Sequence, residues 1–529
     1  MGKPLLGFLA LIFLGIMHMF YKFPAFSELY QYDNRYMNSS FTNETLQNKP
    51  QLNAITNSRK RHLKYLKEFP NVPFKFLYEM KNNYGQYCYD IEENEGIIYN
   101  ERNIYKLFNI TITNQYWQEY ISRSGMIYLY NAYLDTRGNY SMIQIIAIAE
   151  RQARNDVNKC AIWYKNSADP DISSETMEMN PIREHWWQLF IGIQNSARVF
   201  DDMAVYILTC KIPNRRNRIP QVVSIVDHMD IHIHENSNCY ETANYLKVNH
   251  NYEEKKDFAV CVKGYFFQKS HSTQLIEWIE LLSILGAKKI FLYELEGNRD
   301  VRKVFDFYSK KGILDVRKFT FPGDPNFRNS SYLKKHLHPL RIDAHVVLND
   351  CLYRNIHRYK FIVNTDIDEV IIPRELGHTW IDMMKSSLSM YENAKSYYFQ
   401  STYFFDDVPE YKQSLNRSMY DIPRTNHMLR HVYRSKNLGK GKSFLNTKFV
   451  NKVNSHKCMN MYDSLVCNQV KIKSTIALVH HYRKGCQDYV KNCDEQFRQD
   501  ILLDTRLWEF KDQLVLRSKE TLSKLHIEV

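Results

Sequence analysis

The stretch Tyr359–Arg374, YKFIVNTDIDEVIIPR, constrains this chain more than any other. Phe361-Ile362-Val363 is a short unbroken apolar run, the pattern of a strand covered on both faces. It leads through Asn364-Thr365 into Asp366, Asp368 and Glu369. A second apolar run, Val370-Ile371-Ile372, follows at once and stops at Pro373. On an extended chain Asp366 and Asp368 project to one side and Ile367 to the other. Two adjacent carboxylates at a strand end repel unless a cation lies between them. Oxygen-only half-sites of this kind suit hard divalent ions that keep positions open for phosphate oxygens.

A D-x-D triplet carries little information alone, since a chain of this length holds about one by chance. A second, Asp169-Pro170-Asp171, sits in the polar stretch NSADPDISSE and reads as a turn. The setting between two apolar runs is what sets Asp366 and Asp368 apart. A solvated strand end is the competing reading.

The chain's 529 residues exceed one core, so two domains with appendages are expected. Pro4–Tyr21 carries no charge between Lys3 and Lys22 and just reaches the length of a membrane span. No clear small-x-small cleavage site follows, so an uncleaved signal-anchor over 1–22 is preferred to a cleaved signal peptide. Residues 23–72 are polar and rich in Asn, Ser and Thr, as a luminal stem would be. Sequons at Asn38, Asn43, Asn109, Asn139, Asn329 and Asn416 and an even set of ten cysteines agree with the secretory pathway. The cysteines include no CxxC pair; Cys458/Cys467 and Cys486/Cys493 are close enough for local bridges. The net charge of +13 is spread along the chain, with a basic cluster at Arg215-Arg216-Asn217-Arg218. In a luminal setting it points to anionic sugars, phosphates or lipid headgroups rather than nucleic acid. Oligomeric state is not legible.

Residues 73–257 read as a β-rich accessory domain, antiparallel or sandwich-like. Its strands fall at Ser141–Ala149, Ala161–Tyr164, Met203–Cys210 and Gln221–Asp227, with polar turns between. Trp186-Trp187 could line a sugar-binding face, but such aromatics are more often core or interface residues, and this domain is assigned no chemistry. After 258 strands alternate with helices. Asp257–Tyr265 and Lys289–Glu294 flank a helix at Ser272–Leu285, capped by Ser272 or Thr273 and ended by Gly286. A helix at Val301–Lys311, a strand at Leu314–Phe319 and a helix at His336–Tyr353 lead to Tyr359. This α/β alternation predicts a doubly wound, mostly parallel sheet over 258–490, with ligands beyond the carboxyl ends of its strands, near Glu294, Asp366 and Asp368. Residues 491–529 read as a helical tail. No Gly-rich phosphate loop is present, so a metal is the expected holder of phosphate charge.

Three blocks, CVKGYFFQ…QLIEWIELLSILGAKKIFLYE from Cys261, NDCLYRNIHRYKFIVNTDIDEVIIPR from Asn349 and VHHYRKGC from Val479, resemble the family 92 glycosyltransferases in this order. The resemblance spans roughly 258–490. It implies a GT-A-like domain and a single-pass type II Golgi membrane enzyme with a luminal catalytic domain, of a family expanded in nematodes. The activity it implies is inverting β-galactosyl transfer from a UDP-sugar, UDP-galactose, to a glycan or glycoprotein acceptor.

On that resemblance Mn²⁺ or Mg²⁺ is held by Asp366 and Asp368, with His481 as a late ligand and His480 as its alternative; His456 is a weaker candidate. Asp406 or Asp407, ending the run Tyr397–Phe405, is the carboxylate that takes the acceptor proton. Glu369 is the other candidate base, but it points away from the metal pair if the strand stays regular. Tyr265, Glu294, Asp350 and Arg354 contact the nucleotide, although the i,i+4 spacing of Asp350 and Arg354 equally suits a structural ion pair. The basic segment Asn426–Lys442 has no assigned chemistry and reads as an acceptor-binding loop or a disordered insertion. Two other classes fit these residues: a metal-dependent phosphodiesterase or nucleotidyltransferase, and a non-catalytic binding protein.

Overall fold

The computed structural model describes residues 117–527, less 157, 165–169, 174, 176, 183–202, 213–217, 228–243, 251, 268–270, 321, 323–336, 392–393, 406–421, 462–466, 468, 484, 486–491 and 499. The expected anchor and stem, the Trp186-Trp187 pair, most of the 215–218 cluster and Asp406-Asp407 lie outside the described residues. Among those described, no helix is long and apolar enough to cross a membrane.

Among the described residues the N-terminal half forms a nine-stranded sheet, its longer strands being Met126–Asp135, Met142–Glu150, Asn158–Tyr164, Met203–Lys211 and Pro220–Asp227. Its pairs are antiparallel except Met126–Asp135 with Leu246–Asn249. β-Branched and aromatic side chains dominate these strands, and burial is nearly complete from Ile127 to Asp135 and from Met142 to Ala149, Tyr128 excepted. Cys160–Cys210 bridges two strands. Asp171 of the second D-x-D opens a two-residue strand and lies 3.7 Å from Arg218.

The C-terminal half builds an eleven-stranded sheet. Its strands are β1 (Lys256–Val262), β2 (Tyr265–Phe267), β3 (Ala287–Gly297), β4 (Leu314–Lys318), β5 (Tyr359–Thr365), β6 (Glu369–Pro373), β7 (Ser396–Phe405), β8 (Tyr433–Asn446), β9 (Val470–Lys471), β10 (Ala477–Arg483) and β11 (Ile501–Leu503). The spatial order is β2-β3-β1-β5-β8-β7-β10-β6, with β4 on β3, β9 on β7 and β11 on β8. Helices α1 (Ser272–Leu285), α2 (Arg299–Lys310), α3 (Leu337–Asn355), α4 (Trp380–Lys385), α5 (His427–Arg430) and α6 (Lys511–Leu525) complete it. Gly286 ends α1 at φ 109°, which a side chain would strain, while the N-cap is His271 rather than Ser272 or Thr273.

Among the described residues the sheet is mixed, with six parallel pairings, as expected for most of it, and four antiparallel ones. β4, β3, β1 and β5 run parallel, joined by helical crossovers. β8 then pairs antiparallel with both β5 and β7, and β6 with β10. β7 in turn pairs parallel with β9 and β10, so the antiparallel pairs are confined to β5–β8, β8–β7, β8–β11 and β6–β10.

Alternation along β1 divides the core. Phe258, Val260 and Val262 join one buried cluster with α1, α2 and α6, while Ala259 and Cys261 join another with α3 and the nine-stranded sheet. α3 is thus sandwiched between the two sheets, and Cys261–Cys351 ties it to β1. The expected local bridge Cys458–Cys467 is present. Cys493 is also disulfide-bonded, and Cys486 lies outside the described residues. The C-terminal segment is no separate tail: β11 pairs with β8, and Leu514 and Leu522 of α6 enter the α1 core.

Candidate metal and phosphate site

β5 ends at Thr365, and its two neighbours decide what surrounds the next residue. On one side Val262 of β1 pairs with Thr365, so Lys263 comes abreast of Asp366. On the other Ser443 of β8 pairs with Asn364, so Lys442 faces the same strand end. Both ammoniums lie 3.1 Å from Asp366 Oδ2. Lys442 is 1% exposed, sits 2.8 Å from Glu369 Oε2 and donates to the Ser455 carbonyl. Its placement needs Gly441, where a Cβ would fall 1.6 Å from the Phe399 carbonyl oxygen.

The chain does not stay extended through the triplet, which overturns the expectation for Glu369. Asp366–Asp368 form a turn, closed by the Glu369 N–H donating to the Asp366 carbonyl at 3.0 Å. Ile367 packs against the core, and Glu369 starts β6 with its carbonyl accepting from Trp278 and Thr365. Its side chain therefore swings to the metal pair, and Asp366, Asp368 and Glu369 offer oxygens within 4.8 Å of one another. His481 of β10 pairs in register with Glu369. Its Nε2 is 3.2 Å from Asp368 Oδ2 and its Nδ1 3.1 Å from Glu369 Oε1. His480 turns away into the core beside Tyr482 and Asp504, where burial pulls it down to about 4.

Burial favours the neutral form of Asp366, but Lys263 and Lys442 outweigh it and hold the carboxyl well below the usual range. Asp368 is also lowered, against desolvation, by the hydrogen bond and charge of His481. Lys442 is raised: desolvation opposes its charge, and Asp366 and Glu369 prevail. Hence the acids are ready as ligands at neutral pH. Glu369 Oε2 and His481 Nδ1 are both buried and have ion-pair neighbours without hydrogen-bond geometry. Buried acceptors left in this way, three convergent carboxylates and an imidazole fit a hard divalent cation.

The other expected contacts lie elsewhere. Glu294 is paired with Arg302 at 3.1 Å, and Tyr265, abreast of it on β2, is buried against Phe305. Asp350 is wholly buried and accepts from Asn131, Tyr133, Tyr293 and Arg354, the last at 2.8 Å. This is the structural ion pair that the i,i+4 spacing allowed. His456 lies close to the cluster, its Nδ1 3.0 Å from the Gly441 carbonyl, and burial and Lys442 lower its basicity. The segment 426–442 is ordered structure, α5 and most of β8, and supplies Lys442. Sequence reasoning missed both lysines; the apolar run Ser443–Leu445 after Lys442 was the available signal of a strand.

Residues 256–517 match the sequence model of glycosyltransferase family 92. A beta-1,4-galactosyltransferase of Caenorhabditis elegans, galt-1, is 22% identical over 315 residues, covering 57% of this chain and 64% of that protein. The chain thus spans just under two thirds of the length of the curated relative it matches.

Proposed function

With a glycosyltransferase family 92 domain over residues 256–517 as the premise, we propose that this chain moves a hexose, galactose, from a UDP-sugar to a glycan acceptor in a metal-dependent, inverting reaction. The galactosyltransferase name of the relative supports the sugar. Residues 4–21 hold the enzyme in the Golgi membrane as a single-pass type II protein with its catalytic domain in the lumen. The observation that carries the reading is the convergence of Asp366, Asp368 and Glu369 at the carboxyl ends of parallel strands, inside the matched domain.

Asp366, Asp368 and Glu369 would hold Mn²⁺ or Mg²⁺, with His481 beside them. When bound, such an ion supplies Lewis-acid charge against the departing nucleoside diphosphate. The residues of the chain do the rest. Lys442 fixes Asp366 and Glu369, so the ligand set is preorganised. Trp278 and Thr365 lock the Glu369 backbone. Asp368, with 46% of its side chain exposed, faces the solvent from which donor arrives. β7 runs parallel to β10 with Tyr403 abreast of His481. The carboxylate that takes the acceptor proton is assigned to Asp406 or Asp407, the first acids in the sequence after β7.

The test is calorimetric titration of the full chain with a panel of UDP-sugars, with and without Mn²⁺. One UDP-sugar is expected to bind only with the metal, and Asp366→Asn and Asp368→Asn each to abolish that binding. A folded chain that binds no UDP-sugar under either condition would sink the reading.

A further inference from the structure

Asp366 Oδ2 has two ammonium groups at the same distance, 3.1 Å, and their surroundings are opposite. Lys442 is 1% exposed and has three partners, Asp366, Glu369 and the Ser455 carbonyl, so it is a fixed part of the site. Lys263 is 50% exposed. It stands where β1 and β2 both run along β3: Cys261 pairs with Phe291 and Tyr265 with Glu294, so one side carries an extra residue. Lys263 and Gly264 form the break between these two strands, and from it the Lys263 ammonium reaches Asp366 at the end of β5.

A divalent cation cannot approach an oxygen crowded by two ammoniums unless one withdraws. The buried lysine is held on three sides, and the half-exposed one is the one with room to leave. Its flexible stem lets the ammonium swing to a new partner nearby, and a compact point charge suits phosphate oxygens.

We propose that Lys263 is an exchangeable counter-ion, which neutralises Asp366 in the nucleotide-free protein and passes to the diphosphate of the donor when a divalent cation enters the carboxylate cluster. This rests on the donor-site reading above and adds to it a diphosphate-binding residue with a second duty. Lys263 then opposes the metal when the metal comes alone and assists it when nucleotide is present. Ion and nucleotide would load together, and Lys442 would keep the cluster assembled in between.

The opposite signs make the test. On the full chain and its Lys263→Gln and Lys263→Arg variants, calorimetry would measure MnCl₂ alone, UDP at saturating Mn²⁺ and uridine at saturating Mn²⁺. Lys263→Gln is expected to tighten Mn²⁺ binding about threefold or more and to weaken UDP binding about tenfold, the scale of one charge-assisted hydrogen bond, with uridine unchanged. Lys263→Arg keeps the charge and is expected to hold both affinities near those of the unaltered chain. Two unchanged affinities in Lys263→Gln, or weaker Mn²⁺ binding, would overturn the proposal while leaving the donor site standing. If the unaltered chain binds neither Mn²⁺ nor UDP, the donor-site reading itself fails and Lys263 falls with it. Thermal midpoints of the variants would exclude misfolding as the cause.

Discussion

Asp350 and Asp366 are both carboxylates withdrawn from water, and both are held ionised against desolvation by cationic neighbours. Asp350 is closed on every side. Two tyrosine hydroxyls, an asparagine amide and Arg354 take up its oxygens, and its side chain is fully covered where α3 meets the nine-stranded sheet. Asp366 keeps 18% of its side chain open and gathers two ammoniums on one oxygen, with two more carboxylates next to it. Saturation by neutral donors and one arginine serves the fold. Three carboxylates crowded at an open strand end form a group that could take a further cation.

The largest expected effect separates the two acids. Asp350→Ala strands Arg354 and two tyrosine hydroxyls in a dry interior, and should cost about 3–5 kcal/mol in urea unfolding. Added Mn²⁺ should stabilise parent and variant alike and leave the difference between them unchanged. A variant as stable as the parent would mean that the two sheets do not depend on this junction.

Lys442→Met should sharpen the contrast. It leaves Glu369 without its ammonium, while Asp366 retains Lys263, so the expected loss is smaller, about 1–3 kcal/mol. Here Mn²⁺ should restore much of the loss, because an ion that binds only the folded state stabilises it by mass action. Unfolding curves with and without the metal would check this. Failure of Mn²⁺ to help would place Lys442 with Asp350 among the purely structural charges.

Two buried groups outside both networks give effects that appear as slopes against pH and nearly cancel in the parent. Burial pushes Glu277 up to about 7, although backbone N–H groups of Met428 and Leu429 bond its carboxylate. Its folded value exceeds the ordinary one of about 4.3, so its contribution is present in acid and lost as pH rises toward 7. His480 is the reverse: depressed to about 4, it contributes above its ordinary value of about 6.5 and loses that contribution as pH falls. Between about pH 4 and 7 the two oppose each other. Glu277→Gln should therefore lose stability more steeply than the parent on acidification, and His480→Phe less steeply. At about 1.4 kcal/mol per unit of pKa difference, each full shift amounts to at most about 3–4 kcal/mol across the window. Equal slopes in parent and variants would show that neither group titrates in this range.

Much of this was legible in the sequence because it depends on neighbours along the chain. The expected helix Ser272–Leu285 is the observed α1, and α2 and α3 fall within two residues of their expected ends. The strands at 142, 203, 289, 314 and 359 were visible as apolar runs between turn residues. What failed was whatever depended on regularity persisting. Glu369 was expected to face away because an unbroken strand would send it there, and the tight turn after Thr365 returned it to its neighbours. Asn426–Lys442 looked featureless because the apolar residues it pairs with, Phe399 and Phe404, lie on a strand some thirty to forty residues earlier.

The sequence by itself determined that three carboxylates stand between two buried strands, that a histidine pair lies far downstream, and that helices alternate with strands around them. These follow from side-chain chemistry and local periodicity. Only the tertiary structure decided which charges meet. Register between β1, β5 and β8 brings Lys263 and Lys442 to one oxygen, and register between β6 and β10 selects His481 over His480. A shift of one residue in any of these pairings would turn the side chain to the opposite face. Long-range strand pairing sets that choice, and no local pattern encodes it.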